Sequence, residues 1–395
     1  MFDLDQVQTA IRDEGLDGWL LYDFRGLNVL AARVAGTAEG HRTRRWFYYV
    51  PASGEPKKLV HRIEQSSLDH LPGADTTVYL KWQELEAGVG RLLAGAKRIA
   101  MEYSERNGNP YVSRVDAGTV ELVRSFGVEV VSSGDLIQRF EATWDDDQWA
   151  MHQQAAKHTD AAYGVAWAFI AEEIRKQGYA TETAVQARIM RHFADTGMVT
   201  DHPPIVGEGP HSADPHFAPA VDIDRRITPG SFVLIDLWAK LDKPRAVYSD
   251  LTRVGYVGED VPAKVNEVFH VVAAARDAAI ARVKRAFPDG EVLRGWEVDG
   301  AARDVIERAG YGQYFVHRTG HNIGQETHGN GAHMDGLETR EDRRVMQRTC
   351  FSIEPGIYLP GEFGVRSEVN VYVDQAGGVH VTGGPLQSEV RRILV

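Results

Sequence analysis

The sequence predicts an α+β protein of two domains, a smaller α/β domain followed by a larger one built from blocks of helices and strands. The chain has 395 residues, enough for two or three domains of ~100–200 residues each. In its first third, strand-like runs alternate with helical ones, an order typical of α/β domains. From about residue 145, two helices, a group of strands, two helices and a second group of strands follow one another, without a sequence repeat.

In the first domain, apolar spacing and turn residues define the predicted elements. Apolar residues three and four apart, beginning at Leu4, predict a helix that ends near Gly15. Pro51 stops the second strand, and the turn that follows lets the third strand pair with it as a hairpin. The predicted strands are 18–22, 46–50, 58–60, 98–101 and 128–131, and the further helices are 84–93 and 118–125.

In the second domain, helix starts are indicated by capping residues. The domain boundary is predicted after residue 143, giving domains 1–143 and 144–395. Acids 145–147 favour a helix start because they oppose the helix dipole, Thr181 can cap a helix, and Pro262 suits a first turn. The predicted helices are 146–176, 182–196, 263–286 and 296–309.

Composition excludes several classes of function. The formal net charge of −12 argues against a nucleic-acid-binding surface, which would need clustered Lys and Arg. No run of about 18 apolar residues occurs, and the N-terminus lacks the pattern of a signal peptide, so no membrane partner is expected. The single cysteine, Cys350, excludes an intrachain disulfide and fits a reducing compartment. We therefore expect a cytoplasmic protein.

Five side chains that can bind metal lie in or beside apolar runs typical of buried strands: Asp236, Asp250, His321, Glu354 and Glu368. Burying an ionised carboxylate without a partner is costly, and four of them in one core would repel each other. Cations between the carboxylates would relieve that repulsion. The oxygen-rich set suits Mn, Co, Fe or Zn better than a thiolate site would, and it favours a pair of divalent ions.

The order Asp, Asp, His, Glu, Glu, with His321 in Gly-His-x-x-Gly and Glu354 in Glu-Pro-Gly, resembles the pita-bread metallopeptidases. That family holds methionine aminopeptidase, aminopeptidase P, prolidase and the metal-free creatinase. The resemblance covers residues 145–395 closely and the N-terminal part only generically. It implies a pseudo-two-fold domain with helices outside a curved antiparallel sheet, preceded by a smaller creatinase-like α/β domain.

The resemblance also implies how metal would be held. Asp236 would bind one ion with both oxygens, Asp250 and Glu368 would bridge two ions, and His321 and Glu354 would complete the second. It implies two divalent ions, manganese first, with cobalt, zinc or iron as alternatives.

Further roles follow from the same resemblance. Glu354 would also move a proton from water to the leaving amine. His216, in Asp-Pro-His, would contact substrate near the leaving group, and His328, seven residues after His321, would stabilise the oxyanion. Tyr358 and Arg366 match catalytic positions of the aminopeptidase P and prolidase branch.

This branch implies cleavage of Xaa-Pro peptides, with dipeptides as the first choice and longer peptides as the alternative. Arg340, fourteen residues before Glu354, is the candidate for binding a dipeptide's carboxylate, although it lies in a polar loop where a charge is usually solvated. Relatives of this type imply a homodimer. The aromatic run 46–49 could form its interface, although core packing is the preferred interpretation of that run. His211 and His317 are weaker site candidates.

Some features depart from the family pattern. The spacing between Asp236 and Asp250 is longer than usual, which indicates a lengthened hairpin turn that leaves both strands intact. Trp238 stands where small residues are common, and Gly329 follows His328 in place of the common Glu. None of these changes removes a ligand, but they leave substrate preference open.

Other functions on this fold are less well supported by the residues. Creatinase-like hydrolases and non-catalytic binding members lose several ligands, whereas this chain keeps all five. Methionine aminopeptidase lacks an N-terminal domain of this size, so the length argues against it.

Overall fold

The computed structural model describes residues 2–40 and 42–395. The chain divides after Glu141 into two compact units. The predicted domain limits, 1–143 and 144–395, differ from this division by two residues, and as limits of functional domains they stay a prediction. Within the described ranges, no helix has both the length and the apolar character needed to cross a membrane.

The first unit is a mixed sheet covered by helices on both faces. The strands lie in the order β4-β3-β2-β1-β5-β6, with β2 antiparallel to its two neighbours and the remaining pairs parallel. Its helices are α1 Leu4–Asp13, α2 Val29–Val34, α3 Trp82–Leu92, α4 Ala117–Arg124 and α5 Gly134–Glu141. Its strands are β1 Gly18–Asp23, β2 Trp46–Pro51, β3 Lys57–His61, β4 Asp75–Tyr79, β5 Arg98–Met101 and β6 Glu129–Ser132.

Alternation along β1 builds an apolar cluster on each face of this sheet. Trp19 and Leu21 pack with residues of α1, α2 and α5, whereas Leu20 and Tyr22 pack with residues of α3 and α4. The aromatic run 46–49 is buried in the same two clusters, with at most 6% exposure. Core packing is therefore its role in this unit, as the preferred of the two predicted roles has it, and these side chains are not available for an intersubunit surface.

In the second unit, two pairs of long helices are separated by strands, as the order of sequence blocks predicts. The helices are α6 Asp146–Gln177, α7 Glu182–Asp195, α8 Ala263–Ala286 and α9 Gly295–Arg308. The strands before α8 are β7 Ala180–Thr181, β8 Met198–Val199, β9 Ile205–Glu208, β10 Arg226–Ile227, β11 Phe232–Leu241 and β12 Ser249–Val257. Those after α9 are β13 Asn322–Ile323, β14 Cys350–Ile353, β15 Gly356–Leu359, β16 Phe363–Arg366, β17 Val369–Val373, β18 Val379–Thr382 and β19 Arg391–Ile393.

Each helix pair packs on its own apolar cluster. Side chains of α6 and α7 pack with one part of β11 and β12, and those of α8 and α9 pack with β14 to β17. Among the described residues, the strand pairs of this unit are antiparallel except for β12 with β19. The strands β11, β12, β14, β16 and β17 bring buried polar residues together between the two clusters.

The hairpin of β11 and β12 carries the first two predicted ligands. Eight residue pairs run in register from Phe232 opposite Tyr256 to Ala239 opposite Ser249. The connecting turn contains Arg245, whose φ of 63° lies in the left-handed region. The extra residues between Asp236 and Asp250 thus lengthen the turn and leave both strands intact, as predicted.

Candidate active site

The five predicted ligands come from five places along these strands. Asp236 and Asp250 lie in β11 and β12, where Asp236 pairs across with Thr252 and Asp250 with Trp238. His321 immediately precedes β13, Glu354 follows β14, and Glu368 immediately precedes β17. Asp236, Asp250, His321 and Glu368 are all less than 9% exposed.

The structure brings three of these ligands into one cluster and places the other two at its edge. Donor atoms of Asp250, His321 and Glu368 all lie within 4.8 Å of one another. His321 Nε2 is 3.4 Å from Asp250 Oδ2 and 3.4 Å from Glu354 Oε1. Asp236 is joined to the group through the guanidinium of Arg366.

Arg366 is the main cation beside this acidic cluster. Its Nη2 donates to Asp236 Oδ2, and its Nε donates to Thr252 Oγ1 at 2.9 Å and lies 3.9 Å from Glu354 Oε2. Thr252 in turn donates its hydroxyl to Glu368 Oε2 at 2.7 Å. Sequence reasoning missed Thr252, whose position opposite Asp236 follows only from the strand register.

Burial perturbs the acids strongly. It raises the pKa of Asp236 to about 6 and that of Asp250 to about 7, and it also raises the pKa values of Glu354 and Glu368. Repulsion between the neighbouring carboxylates adds to the rise for Asp236, Glu354 and Glu368. One arginine therefore does not balance four acids, and the cluster favours additional cations.

Two local features fit a metal site. Asp236 Oδ1 is buried and has no hydrogen-bond partner among the described residues, an unusual state for a carboxylate oxygen. Burial lowers the pKa of His321, and its Nδ1 lies 3.2 Å from the carbonyl oxygen of Asn322. When that Nδ1 carries the proton, the Nε2 lone pair faces Asp250 and Glu354, an arrangement that suits a cation between them.

Tyr358 lies on the Arg366 side of the cluster. Its hydroxyl accepts from Arg366 Nη1 at 3.1 Å and lies 2.8 Å from His317 Nε2. His317 Nδ1 is 2.7 Å from the carbonyl oxygen of Arg318, and burial lowers the His317 pKa to about 3. A neutral ring that donates through Nδ1 leaves Nε2 to accept a hydrogen bond from the Tyr358 hydroxyl. His317 therefore fixes the direction of that hydrogen bond.

The two predicted substrate histidines are accessible to solvent. His216 is exposed, and the preceding residue, Pro215, accepts a hydrogen bond from Arg366 at 3.2 Å. The ring of His328 packs edge-on against His321 with 4.3 Å between centroids. The charge that His321 would carry beside it is the largest cause of the lowered His328 pKa.

The structure does not bring Arg340 into this group. Its side chain is 72% exposed, forms an ion pair with Asp342 at 3.2 Å and lies 5.0 Å from the centre of the Trp296 ring. His211 likewise has another partner, since its Nδ1 is 2.9 Å from both carboxylate oxygens of Glu182.

Comparison with known proteins identifies relatives of this chain. Residues 150–375 match metallopeptidase family M24. This chain belongs to metallopeptidase family M24. It is therefore a hydrolase of the metallopeptidase class, and its buried acidic and histidine cluster is consistent with the metal dependence of that family.

Two relatives are named as dipeptidases, one aligned with most of this chain and the other with about half of it. The probable dipeptidase PepE of Mycobacterium tuberculosis is 27% identical over 380 residues, which cover 95% of this chain and 92% of that protein. The Xaa-Pro dipeptidase of Lactobacillus helveticus is 33% identical over 216 residues, or 55% of this chain and 53% of that protein.

Solved structures support the fold over nearly the whole chain. Dipeptidase PepE of Mycobacterium ulcerans superposes with a TM-score of 0.69 at 26% identity, covering 99% of this chain and 97% of that one. An Xaa-Pro dipeptidase from Bacillus anthracis gives a TM-score of 0.59 at 22% identity, with 99% of each chain covered. The α+β architecture, with the pita-bread fold after a smaller α/β part, is confirmed.

Proposed function

We propose that this metallopeptidase hydrolyses the Xaa-Pro bond of peptides with two divalent ions, manganese first, and that dipeptides are its preferred substrates. The observation that carries the proposal is the buried group of Asp250, His321 and Glu368, with Glu354 beside it. The names of the M24 relatives supply the substrate class, because several are dipeptidases or Xaa-Pro dipeptidases.

In this proposal, Asp236, Asp250, His321, Glu354 and Glu368 hold the two ions. The unpartnered Asp236 oxygen and the mutual approach of the other donors support that assignment. Bound divalent ions would polarise the scissile carbonyl and lower the pKa of water. Manganese, cobalt, zinc and iron all accept carboxylate and imidazole ligands, so the preferred metal is settled by measurement.

The chain's own groups hold and move protons around the scissile bond. Glu354 Oε1 accepts from the Ser352 hydroxyl at 3.0 Å, which holds the carboxylate at the cluster's edge. Its raised pKa suits a group that takes a proton from water and gives it to the leaving amine. His216 would contact the leaving-group side, and His328 would stabilise the oxyanion. Arg366, which donates to Tyr358, would orient the carboxylates or carry protons.

A second candidate is an Xaa-Pro aminopeptidase that acts on longer peptides. The position of Arg340 favours it, because an arginine paired with Asp342 and largely in solvent does not reach the group around His321. A preference for dipeptides then needs another cation that binds the substrate carboxylate. Without such a cation, the enzyme has no preference for dipeptides.

Ala-Pro, Ala-Pro amide and Ala-Pro-Ala distinguish the two candidates. A dipeptidase that uses Arg340 should cut Ala-Pro fastest, and Arg340→Ala should reduce that advantage by roughly ten-fold, the value of one charge-assisted hydrogen bond. Arg308→Ala is the matched control, because Arg308 is 78% exposed and also pairs with a nearby aspartate. Equal or faster cleavage of the tripeptide would establish the aminopeptidase and remove the role of Arg340.

We also propose a cytoplasmic homodimer, as the resemblance to relatives with an N-terminal domain implies. The first unit exposes large apolar side chains at Leu27, Ile63 and Trp82, which are 67%, 67% and 62% exposed. Such exposure is typical of association surfaces when the side chains are contiguous. Sedimentation should give twice the 43.8 kDa chain mass at micromolar concentration, and a monomer there would contradict the dimer.

A further inference from the structure

Arg366 and Tyr358 lie at one side of the acidic cluster. The second side of the cluster lies in the opposite direction along β11 and β12. Trp238 lies two residues after Asp236 in β11 and pairs across the strands with Asp250. Side chains two apart in a strand, and those directly opposite each other, share one face of a sheet. The indole therefore stands beside the Asp250 carboxylate, on the face that carries the predicted ligands.

Trp238 holds an aspartate at this flank. Its indole Nε1 donates to Asp201 Oδ1 at 2.7 Å. Asp201 lies in the loop between β8 and β9, and its side chain is 46% exposed. In the described part of the chain, Asp201 Oδ2 accepts no hydrogen bond, so one carboxylate oxygen is held in place and the other is available to a ligand.

Among the described residues, the cations beside Asp201 make no hydrogen bond to its carboxylate, although the charge of Asp201 acts on Lys240. Lys240 Nζ donates to the carbonyl oxygen of Gln325 at 2.5 Å and lies 4.8 Å from the centre of the Tyr248 ring. His202 Nδ1 is 3.7 Å from Asp201 Oδ1, beyond hydrogen-bond distance, and its ring is 77% exposed. The neutral indole is thus the direct donor to this carboxylate.

Asp201 is linked to the predicted ligands through one side chain. Trp238 faces Asp250 across the paired strands and donates to Asp201, so the indole connects the two positions. A cationic group on a substrate whose scissile bond lies at the cluster therefore comes within reach of the Asp201 carboxylate. Arg366, which donates to the carbonyl of Pro215 and to Tyr358, occupies the other flank.

We propose that Asp201 binds the free α-ammonium group of the substrate, and that Trp238 is the positioning residue that aims its carboxylate. This inference rests on the proposed function, because it places the scissile bond over the cluster. An α-amino group with a pKa of about 7.7–8.0 is mainly protonated at pH 7. Its N–H groups suit an ionised carboxylate with a free oxygen. The pair would select the amino-terminal bond of a peptide over an internal bond.

Two substrates that differ only at the amino group test this role in the metal-loaded enzyme. Ala-Pro carries the ammonium, whereas propionyl-proline has the same carbon skeleton without it. Asp201→Asn keeps the size and the acceptor oxygen but removes the charge. We expect it to lower the preference for Ala-Pro by about ten-fold, mainly through a higher KM, because a charge-assisted bond becomes a neutral one. Cleavage of propionyl-proline, or its inhibition constant against Ala-Pro, should change little.

Two further variants complete the test. Trp238→Phe keeps an aromatic ring but removes the donor, and it should lower the same preference by a smaller factor. Asp374→Asn is the matched control, because Asp374 is a 34% exposed carboxylate 2.7 Å from a ring nitrogen, that of His380, in the turn after β17. It should leave the preference unchanged.

The outcomes separate this role from others. An unchanged preference in Asp201→Asn, or an equal loss on both substrates together with loss of metal, would overturn the inference. Including Ala-Leu keeps the proposed function separate: wild-type enzyme that cuts Ala-Leu but not Ala-Pro refutes Xaa-Pro specificity. The role of Asp201 is then tested with Ala-Leu and propionyl-leucine in the same way.

Discussion

At the residue scale, Arg366 and Glu354 have different tasks in one acidic group. Arg366 donates to Asp236, Thr252, Tyr358 and the Pro215 carbonyl, so its guanidinium is fixed by several partners. Glu354 is held by Ser352 at one oxygen and keeps a raised pKa through burial. The first arrangement favours a fixed charge, and the second favours a group that changes its protonation state.

Replacing Glu354 should therefore be far more damaging than replacing Tyr358. Glu354→Ala and Glu354→Gln should lower kcat by about 10²–10⁴-fold, the usual contribution of a general acid–base group. Tyr358→Phe removes one hydroxyl and should cost much less. Steady-state rates on Ala-Pro, with circular dichroism to verify folding, provide the measurement. If Glu354→Ala were as active as the parent enzyme, the assignment would fall.

Residue types and their order were enough to predict which acids and which histidine gather in the buried group, because each lies in or beside a short apolar run. That they bind metal stays a prediction. Thr252 and Asp201 could not be predicted in that way. Thr252 contacts Arg366 and Glu368 only because β11 and β12 pair in one particular register. Asp201 lies in an irregular loop, and in the sequence its partner Trp238 stands out only as an unusual neighbour of Asp236.

At the element scale, the first helix of the second unit shows how local sequence fixes a boundary. Asp145 accepts from the backbone N–H of Gln148 at 2.9 Å, and the Gln148 side chain accepts from the Asp145 backbone at 3.2 Å. This reciprocal capping box begins α6, and Gly178 ends it with a φ of 87°. The predicted end of the helix, residue 176, is one residue short of the observed end.

Asp145→Ala should lower the free energy of unfolding by about 0.5–2 kcal/mol, the usual contribution of a helix cap. The backbone hydrogen bond from Gln148, followed by the Arg245 contact, lowers the Asp145 pKa below its ordinary value of 3.8. A lowered carboxyl pKa stabilises the folded state above the unfolded value and loses that effect as the pH falls through the folded value. The difference between variant and parent should thus shrink below about pH 3.8.

Urea unfolding of the two proteins at pH 7 and near pH 3 measures this difference. Asp147→Ala is the control, because Asp147 lies in the same first turn without the cap position. A loss of stability in Asp147→Ala as large as that in Asp145→Ala would assign the effect to the helix dipole and contradict the capping role.

Other elements could not be predicted from local sequence. The edge strand β4 is mostly exposed and has no continuous apolar run, and α2 has only six residues. Both form because the sheet and its apolar cluster supply partners from elsewhere in the first unit. Local capping and periodicity carry no such information.

At the scale of the whole molecule, the second unit uses two helix pairs to bury two apolar clusters with polar residues between them. That arrangement holds Asp236, Asp250, His321, Glu354 and Glu368 in surroundings that raise the pKa values of the four acids. Membership of the M24 family gives this arrangement a peptidase function. We propose that metal at these residues makes the protein active.

Removal and return of metal tests that claim most directly. The protein is dialysed against chelator, its metal content is measured by mass spectrometry, and Ala-Pro hydrolysis is followed before and after addition of Mn, Co, Zn or Fe. We expect activity to disappear with the metal and to return best with Mn or Co, at about two ions per chain, as a joint metal site requires. Full hydrolysis by exhaustively chelated protein, with no metal detected, would contradict the account.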